Sequence, residues 1–224
     1  MPRGSPLDWA RLDSLLTWQA LIRVELDESQ SIRGDEHIQT ISLLLFLGET
    51  CRYLRKLEEA ATCHRAALET LTHVLDGTTA GADQWYRELL ALREDSTSHL
   101  GNCLVSMGEL DEAEEHLRTS MELTRRQAAA PSEKGNPQQR ALEGLARCLG
   151  KRVGDAAKLC EAERLARHSW ALRSRQWGNE HDSTHAAKIF VDSLREKRCR
   201  ERLRTAVARH ATVALTDGTA LAVE

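Results

Sequence analysis

Histidines four residues apart are the first feature of this 224-residue chain that could bind a metal. A helix would place His181 and His185 on one face, which is the spacing of a two-histidine metal site. His181, however, follows Gly-Asn-Glu just as His37 follows Gly-Asp-Glu, and no histidine lies four residues after His37. A repeated structural position therefore explains His181 better than a ligand role, and the sequence predicts no metal site and no cofactor.

Catalytic signatures do not accompany these histidines. The sequence contains no G-x-S-x-G, no phosphate-binding loop, no G-x-G-x-x-G and no H-E-x-x-H. The carboxylates Glu112, Glu114 and Glu115 are typical of a solvated helix face, on which Glu114 can contact Arg118 one turn later. We therefore expect a protein that is not an enzyme.

A basic run near the C-terminal end offers a different chemistry. Between residues 194 and 210 there are seven Lys or Arg and two Glu. Such a run could bind acidic peptide, RNA or anionic lipid, or it could be the solvated face of a helix. The bases do not fall on one helical stripe, and no aromatic residues alternate with them for base stacking. The solvated face is favoured, and nucleic acid is not an expected partner.

Helices must position these side chains. Only 4% of the residues are aromatic, and leucine and alanine far outnumber valine and isoleucine, which disfavours a core built from strands. Hydrophobic residues make up 41% and charged residues 29%, as in globular proteins. The net charge of −3 gives no general attraction to nucleic acid or membranes. The composition predicts an all-α chain.

The cysteines and the apolar runs indicate in which cellular compartment the protein is expected. Six cysteines are present and no two form a C-x-x-C pair. No apolar run approaches the ~18 residues that a membrane-spanning helix needs, and no secretory signal precedes Asp8. We expect reduced thiols, no membrane association and a cytoplasmic location.

An internal repeat organises the chain. Gly48 and Ala60 in one segment correspond to Gly101 and Ala113 in a second, with apolar residues at matching intervals of three and four on both sides. Each small residue would let two antiparallel helices approach to ~8–10 Å. The matching positions are Leu44, Leu47, Cys51, Leu54, Leu57, His64 and Ala67 against Thr97, Leu100, Leu104, Met107, Leu110, Leu117 and Ser120.

The pattern Leu100-Gly101…Ala113-x3-Leu117 resembles the tetratricopeptide repeat (TPR), W-x2-L-G-x2-Y…A-x3-F. Glu112-Ala113-Glu114 and Glu161-Ala162-Glu163 are closer to the longer repeat of kinesin light chains. The likeness covers about residues 30–215 and implies a right-handed α-solenoid of stacked antiparallel helix pairs.

The predicted organisation has three parts. Residues 1–33 form an N-terminal capping helix or partial repeat, and residues 216–224 form a C-terminal tail. About four helical hairpins lie between them, at 34–76, 88–127, 138–177 and 178–215. The last unit lacks small residues at the crossing positions, so a degenerate cap is its alternative. Asp217-Gly218 signals either a β-hairpin or a frayed helix end.

The resemblance also implies which residues line a concave groove. Asparagine can bind a peptide backbone or carboxylate because its amide both donates and accepts, and arginine offers a fork that matches carboxylates. The asparagine, arginine and lysine residues expected in the groove suggest an acidic or carboxylate-bearing peptide as the ligand. Glu49, Glu143 and Glu196 lie nearby and oppose this, and the alternative is an open solvated face. The candidate binding residues are Arg52, Tyr53, Asn102, Arg147, Lys151 and Lys197.

Three functions remain open on these grounds. The favoured one is a non-catalytic scaffold that binds a peptide or partner protein in the groove. The second is an interaction or oligomerisation arm of a larger signalling or motor-adaptor protein. The third is nucleic-acid binding through the basic C-terminal helices, which would show a steep dependence on salt.

Overall fold

The computed structural model describes residues 6–78, 84–127, 137–152 and 154–220. Across these ranges the chain forms eight α-helices and no strand, which confirms the predicted fold class. The helices are α1 (Pro6–Arg33), α2 (Ile38–Tyr53), α3 (Leu57–Asp76), α4 (Gln84–Met107), α5 (Leu110–Gln127), α6 (Pro137–Gly150), α7 (Ala156–Trp177) and α8 (Asp182–Ala220).

The helices belong to two compact units, residues 1–144 and 145–224. In the first unit each helix from α1 to α5 packs against the next, and α2 also contacts α4. In the second unit α7 packs against α8. The connections after α2 and α4 are short, so α2/α3 and α4/α5 are helical hairpins.

The repeated Gly-x-Glu-His segments are boundaries between helices. Gly34 and Gly178 adopt φ values of +85° and +82°, which favour glycine and end α1 and α7. The His37 Nδ1 atom then accepts a hydrogen bond from the Gln39 backbone N–H at 3.2 Å. His181 Nδ1 accepts from the Ser183 N–H at 3.1 Å in the same way. Each histidine therefore begins a helix by satisfying a backbone donor that has no intrahelical partner.

The turn inside each hairpin requires a left-handed residue. Gly108 has φ +96° between α4 and α5, and Arg55 has φ +64° at the corresponding point between α2 and α3. An L-residue in this conformation costs about 1 kcal/mol relative to glycine. The structure thus keeps the turn even where the sequence lacks its usual glycine.

Glycines on the first helix of each hairpin allow the second helix to approach. A Cβ atom added to Gly101 would lie 2.6 Å from Leu117 Cγ, and one added to Gly48 would lie 2.6 Å from His64 Cε1. Both distances are far below van der Waals contact, so neither position accepts a larger residue without movement of its neighbour. The repeat spacing read from the sequence therefore marks the helix crossings of the fold.

Apolar side chains between the helices form the core of the first unit. They come from the facing sides of α2, α3 and α4, where apolar residues recur at intervals of three and four. Their burial removes apolar surface from water and is the main contribution to stability. The cluster comprises Ile41, Leu45, Ala67, Leu71, Leu75 and Leu89.

One carboxylate is buried beside this core. Glu94 on α4 is almost fully buried and accepts a hydrogen bond from Ser120 Oγ on α5 at 2.8 Å. Burial raises the pKa of Glu94 above its ordinary value, and the Ser120 hydrogen bond only partly opposes this effect. A raised pKa means that the carboxyl stabilises the fold when protonated and loses that contribution as the pH rises through its folded pKa.

We therefore expect Glu94→Gln to stabilise the chain at neutral pH. An amide keeps the shape and a hydrogen bond to Ser120 but carries no charge to bury, so the free energy of unfolding at pH 7 should rise by about 1 kcal/mol. The gain should shrink as the pH falls towards 4, where Glu94 itself becomes neutral. Urea unfolding at pH 7 and pH 4 measures both values. A variant less stable than the wild type at pH 7 would contradict the assignment.

The C-terminal unit departs from the predicted hairpin. The sequence predicts two helices over 178–215, whereas the structure has the single helix α8 from Asp182 to Ala220. No glycine or proline interrupts residues 182–217, and ion pairs along the helix such as Glu196–Arg200 and Glu201–Arg204 support continuous helix. Helix also continues through Asp217 and Gly218, so neither the β-hairpin nor a helix end at Gly218 is present.

Several predictions about loops lie outside the described residues. These are residues 79–81 of the turn-rich segment 76–81, the linker 128–136 and the last residues, 221–224. All six cysteines are described and free, and four of them, Cys51, Cys63, Cys103 and Cys148, are buried as small hydrophobic side chains. None of the described helices is long and apolar enough to cross a membrane.

Candidate functional site

Polar side chains from three helices meet on one face of the first unit. We call it the first-helix face, because α2 and α4 are the first helices of their hairpins and the beginning of α6 follows them in chain order. Glu49 and Arg52 come from α2, Asp95 and His99 from α4, and Arg140 from α6. The two cationic and two anionic side chains balance, so this face carries no large net charge.

Glu49 is the centre of this cluster. Its carboxylate accepts two hydrogen bonds from Arg52, at 2.9 Å from Nε and 2.8 Å from Nη2. His99 Nδ1 on α4 lies 2.6 Å from Glu49 Oε1. Burial alone raises the pKa of Glu49, but the hydrogen bonds from His99 and Arg52 outweigh it and hold the pKa well below its ordinary value. Glu49 is therefore ionised throughout the physiological range.

His99 links Glu49 to the next helix. Its Nε2 atom lies 3.1 Å from Arg140 Nη1, and Arg140 also pairs with Asp95. Arginine can only donate, so Nε2 accepts from Arg140 and the proton of a neutral imidazole sits on Nδ1, facing Glu49. The contacts thus select one tautomer of His99.

His64 on α3 is the buried member of this cluster and lies next to Glu49 and His99. It is fully buried, its ring stacks on His99 with centroids 5.3 Å apart, and its Nε2 atom lies 3.8 Å from Glu49 Oε1. Neither ring nitrogen has a hydrogen-bond partner among the described residues. Burial, followed by the neighbouring His99, lowers the pKa of His64 to about 3, so the imidazole is neutral.

Comparison with solved structures identifies the architecture. Two crystal structures of a Podosopora anserina protein described as a kinesin light chain with nearly identical TPR-like repeats, one of them a substituted form, align with this chain. The first has a TM-score of 0.62 at 13% identity and covers 95% of this chain and 92% of its own. The chain has a TPR-like repeat fold. The second has a TM-score of 0.57 at 14% identity, over 88% of this chain and 92% of its own.

Sequence comparison alone does not reach these structures. No protein-family model and no curated protein matches the chain. The likeness is therefore one of fold, and it confirms the TPR-like repeat that Gly48, Ala60, Gly101 and Ala113 indicate in the sequence.

Among the predicted groove residues, Arg52 and Tyr53 lie together at the end of the TPR-like helix α2. The Arg52 guanidinium carbon lies 4.5 Å from the centroid of the Tyr53 ring, and Tyr53 is 61% exposed. The hydrogen bonds from Nε and Nη2 to Glu49 leave the Arg52 Nη1 atom without a partner among the described residues. This pair is an accessible aromatic and cationic surface.

Asn102 has a different environment from the one that the resemblance implies. Its Nδ2 atom donates to the Ser98 carbonyl at 2.8 Å, and its Oδ1 atom is sealed from solvent without a partner. A Cβ atom on Gly144 of α6 would lie 2.8 Å from that oxygen. The amide is thus covered by α6, and a peptide could reach it only if that contact opened.

The remaining predicted residues belong to the second unit. Arg147 and Lys151 are exposed at the end of α6, and Lys197 on α8 is exposed with its Nζ atom 3.5 Å from the Gly150 carbonyl. A Cβ atom on Gly150 would lie 2.6 Å from Leu194 Cδ2, so close packing of these helices places Lys197 beside the end of α6. The second unit therefore carries its own basic surface at this point.

Part of the basic run serves packing. The carboxylate of Glu163 on α7 is 2% exposed, and it lies 3.0 Å from Arg198 Nε and 3.6 Å from Arg195 Nε on α8. Arg167 pairs with it from one turn along α7. Two of the seven bases thus hold α8 against α7, which favours the solvated and structural interpretation of the run over nucleic-acid binding.

His181, one of the two histidines singled out in the sequence, begins a helix as His37 does. His181 caps α8 through Nδ1 and stacks on Trp177 with centroids 5.4 Å apart. Sequence reasoning missed the cluster of Glu49, His64 and His99, which comes from three helices. One signal was available, because His64 occupies the position that Leu117 fills in the next repeat.

Proposed function

We propose that the chain is a non-catalytic scaffold that binds an extended peptide or partner segment along its first helices. The TPR-like fold generally presents these helices to partners. The observation that carries the proposal is the pair formed by the partly exposed Arg52 and the exposed Tyr53 at the end of α2. Arginine and tyrosine are the residue types most often found at the energetic centre of protein interfaces.

An acidic or carboxylate-bearing peptide is the favoured ligand. Arg52 is held in place by Glu49, so little conformational entropy is lost when its Nη1 atom binds a carboxylate. Tyr53 offers an adjoining apolar ring with a polar tip. The second unit, considered by itself, exposes a basic surface of its own at Arg147, Lys151 and Lys197, and we propose that this surface too favours acidic ligands.

Two further features agree with such a role. The free cysteines are what a protein of the reducing cytoplasm carries, and we propose that compartment. The polar cluster around Glu49 is tied into ion pairs and contains no nucleophile paired with a base, so we propose binding without catalysis.

Panning a displayed library of short peptides with free carboxyl termini against the full chain tests the proposal. Enriched peptides should be rich in Asp or Glu, or should share the residues that precede the terminal carboxylate. In fluorescence-anisotropy titrations, Arg52→Met or Tyr53→Ala should weaken their binding at least about fivefold, the loss typical of an interface hot spot.

Arg164→Met is the matched control, because Arg164 is an exposed arginine on α7, a second helix of a hairpin. It removes the same charge and should change the dissociation constant less than about twofold. Equal losses of affinity from Arg52→Met and Arg164→Met would mean that binding depends on the net charge of the chain and not on the position of Arg52. No loss from Arg52→Met would refute the assigned surface.

A further inference from the structure

We propose that Glu49, His64 and His99 form a binding site for a divalent transition-metal ion of the zinc class. The three side chains come from α2, α3 and α4, and their nearest ligand atoms all lie within 4.8 Å of one another. Two imidazoles and a carboxylate are a ligand set that Zn²⁺ accepts, with a fourth position left for water. This proposal does not depend on peptide binding.

The distances are close to those of a coordination shell. Zinc binds histidine nitrogen and carboxylate oxygen at about 2.0–2.2 Å, so two ligand atoms of one ion lie at most ~4.2 Å apart. Glu49 Oε1 lies 3.8 Å from His64 Nε2 and 2.6 Å from His99 Nδ1. The His64 and His99 rings stack at an interplanar angle of 16°, so both must also rotate until the lone pairs of their nitrogens point at one ion.

His64 supplies the second and independent observation. A fully buried imidazole with both nitrogens unpartnered costs stability, because it gives up hydrogen bonds to water and gains none. Its Nε2 atom faces the Glu49 carboxylate, which accepts from Arg52 instead. A metal ion would satisfy this nitrogen.

The next repeat shows that the fold does not require these residues. Gly101 packs on Leu117 as Gly48 packs on His64. Gly144 then approaches Leu117 and Asn102, as His99 approaches His64 and Glu49. The same junction is thus built once from Leu, Asn and Gly, and once from two histidines and a glutamate. Packing alone does not account for the second set.

Besides this rotation, binding requires two changes in hydrogen bonding. His99 must coordinate through Nδ1, so its proton moves to Nε2. The 3.1 Å contact between Nε2 and Arg140 Nη1 then has to open, while the ion pair of Arg140 with Asp95 can remain. Arg52 must release Glu49 Oε1 but can keep Oε2. The proton count of His99 is unchanged. Both arginines oppose a dication, so we expect micromolar rather than picomolar affinity.

Calorimetric titration of the chelator-treated full chain with Zn²⁺ tests the site, with Mg²⁺ as the comparison ion. We expect one Zn²⁺ per chain with a dissociation constant of about 10 µM or tighter, and no heat from Mg²⁺. His64→Leu, which copies the next repeat, should weaken binding at least about tenfold, and His99→Gln should do the same. Circular dichroism checks that both variants are as helical as the wild type.

His181→Gln is the matched control, since His181 is an exposed histidine outside the cluster. It should leave the dissociation constant within about twofold. Wild-type binding that is no tighter than that of His64→Leu, or that His181→Gln weakens equally, would overturn the site. Because His99→Gln keeps the buried His64, it decides the matter even if His64→Leu fails to fold.

Arg52→Met separates this site from the proposed peptide surface. Removing the guanidinium frees Glu49 Oε1 and removes a repelling charge, so Zn²⁺ should bind several-fold more tightly. The same variant is expected to weaken peptide binding. Weaker Zn²⁺ binding would contradict the assigned ligands whatever happens to the peptide.

Discussion

Replacing Gly101 with valine is expected to lower the free energy of unfolding by about 3 kcal/mol. Its Cβ atom would stand 2.6 Å from Leu117 Cγ and 3.4 Å from the Ala113 carbonyl oxygen. The first contact can be relieved only by moving a buried side chain, and the second involves backbone. Valine adds two methyl groups to this crossing and is stiff in a helix. Urea unfolding followed by circular dichroism measures the loss.

A double-mutant cycle shows whether the crossing is the cause. Leu117→Ala alone should cost about 2–5 kcal/mol as a cavity, but it also makes room for the new side chain. The two substitutions together should therefore cost less than the sum of their separate effects by at least about 1 kcal/mol. Additive losses, or an unfolding midpoint unchanged by Gly101→Val, would contradict the close approach of α4 and α5.

Removing the buried carboxylate of the second unit is expected to have the other large effect. Glu163→Ala should lower the free energy of unfolding by about 3 kcal/mol. The substitution leaves a cavity and also leaves Arg167, Arg195 and Arg198 without their shared counter-ion. The arginines are partly exposed and can turn to solvent, which keeps the loss near the lower end for a broken buried pair.

Glu196→Ala is the corresponding surface control. Glu196 pairs with Arg200 one helical turn later on α8, and both side chains are well exposed. Such a pair contributes only about 0.3–0.5 kcal/mol. Thermal unfolding should therefore distinguish the two variants clearly. Comparable losses from both would mean that Glu163 does not hold α8 against α7.

The helical hairpins of the first unit could be predicted because their signals are local. Gly48 and Ala60 repeat as Gly101 and Ala113, and small residues at a helix crossing are a steric requirement visible in one sequence. The Gly-x-Glu-His boundary was visible as a repeat, although its capping role required the contact between His37 and the Gln39 N–H.

The end of the chain shows where this reasoning fails. The apolar residues Ile189, Val191 and Leu194 continue the repeat pattern, and the same spacing suits one long amphipathic helix equally well. A second helix needs a residue that breaks the first one. None occurs before Gly218, so α8 continues.

The candidate sites depended on contacts between repeats. The family pattern singled out Arg52 and Tyr53, which lie at the end of α2. That they line a binding groove is a prediction that stays open to experiment. The pattern could not show that α6 covers Asn102. Likewise, His64 and His99 are far apart in sequence and meet only because α3 and α4 pack together.

Amide hydrogen exchange with and without a library-selected peptide is the most direct test of the scaffold proposal. Exchange followed by mass spectrometry reports which backbone segments a ligand protects. We predict that protection is largest at the end of α2, around Arg52 and Tyr53, and that it is reduced in the Arg52→Met variant at the same peptide concentration. Protection confined to α3 and α5, the second helices of their hairpins, would contradict the assignment of the first-helix face as the binding surface.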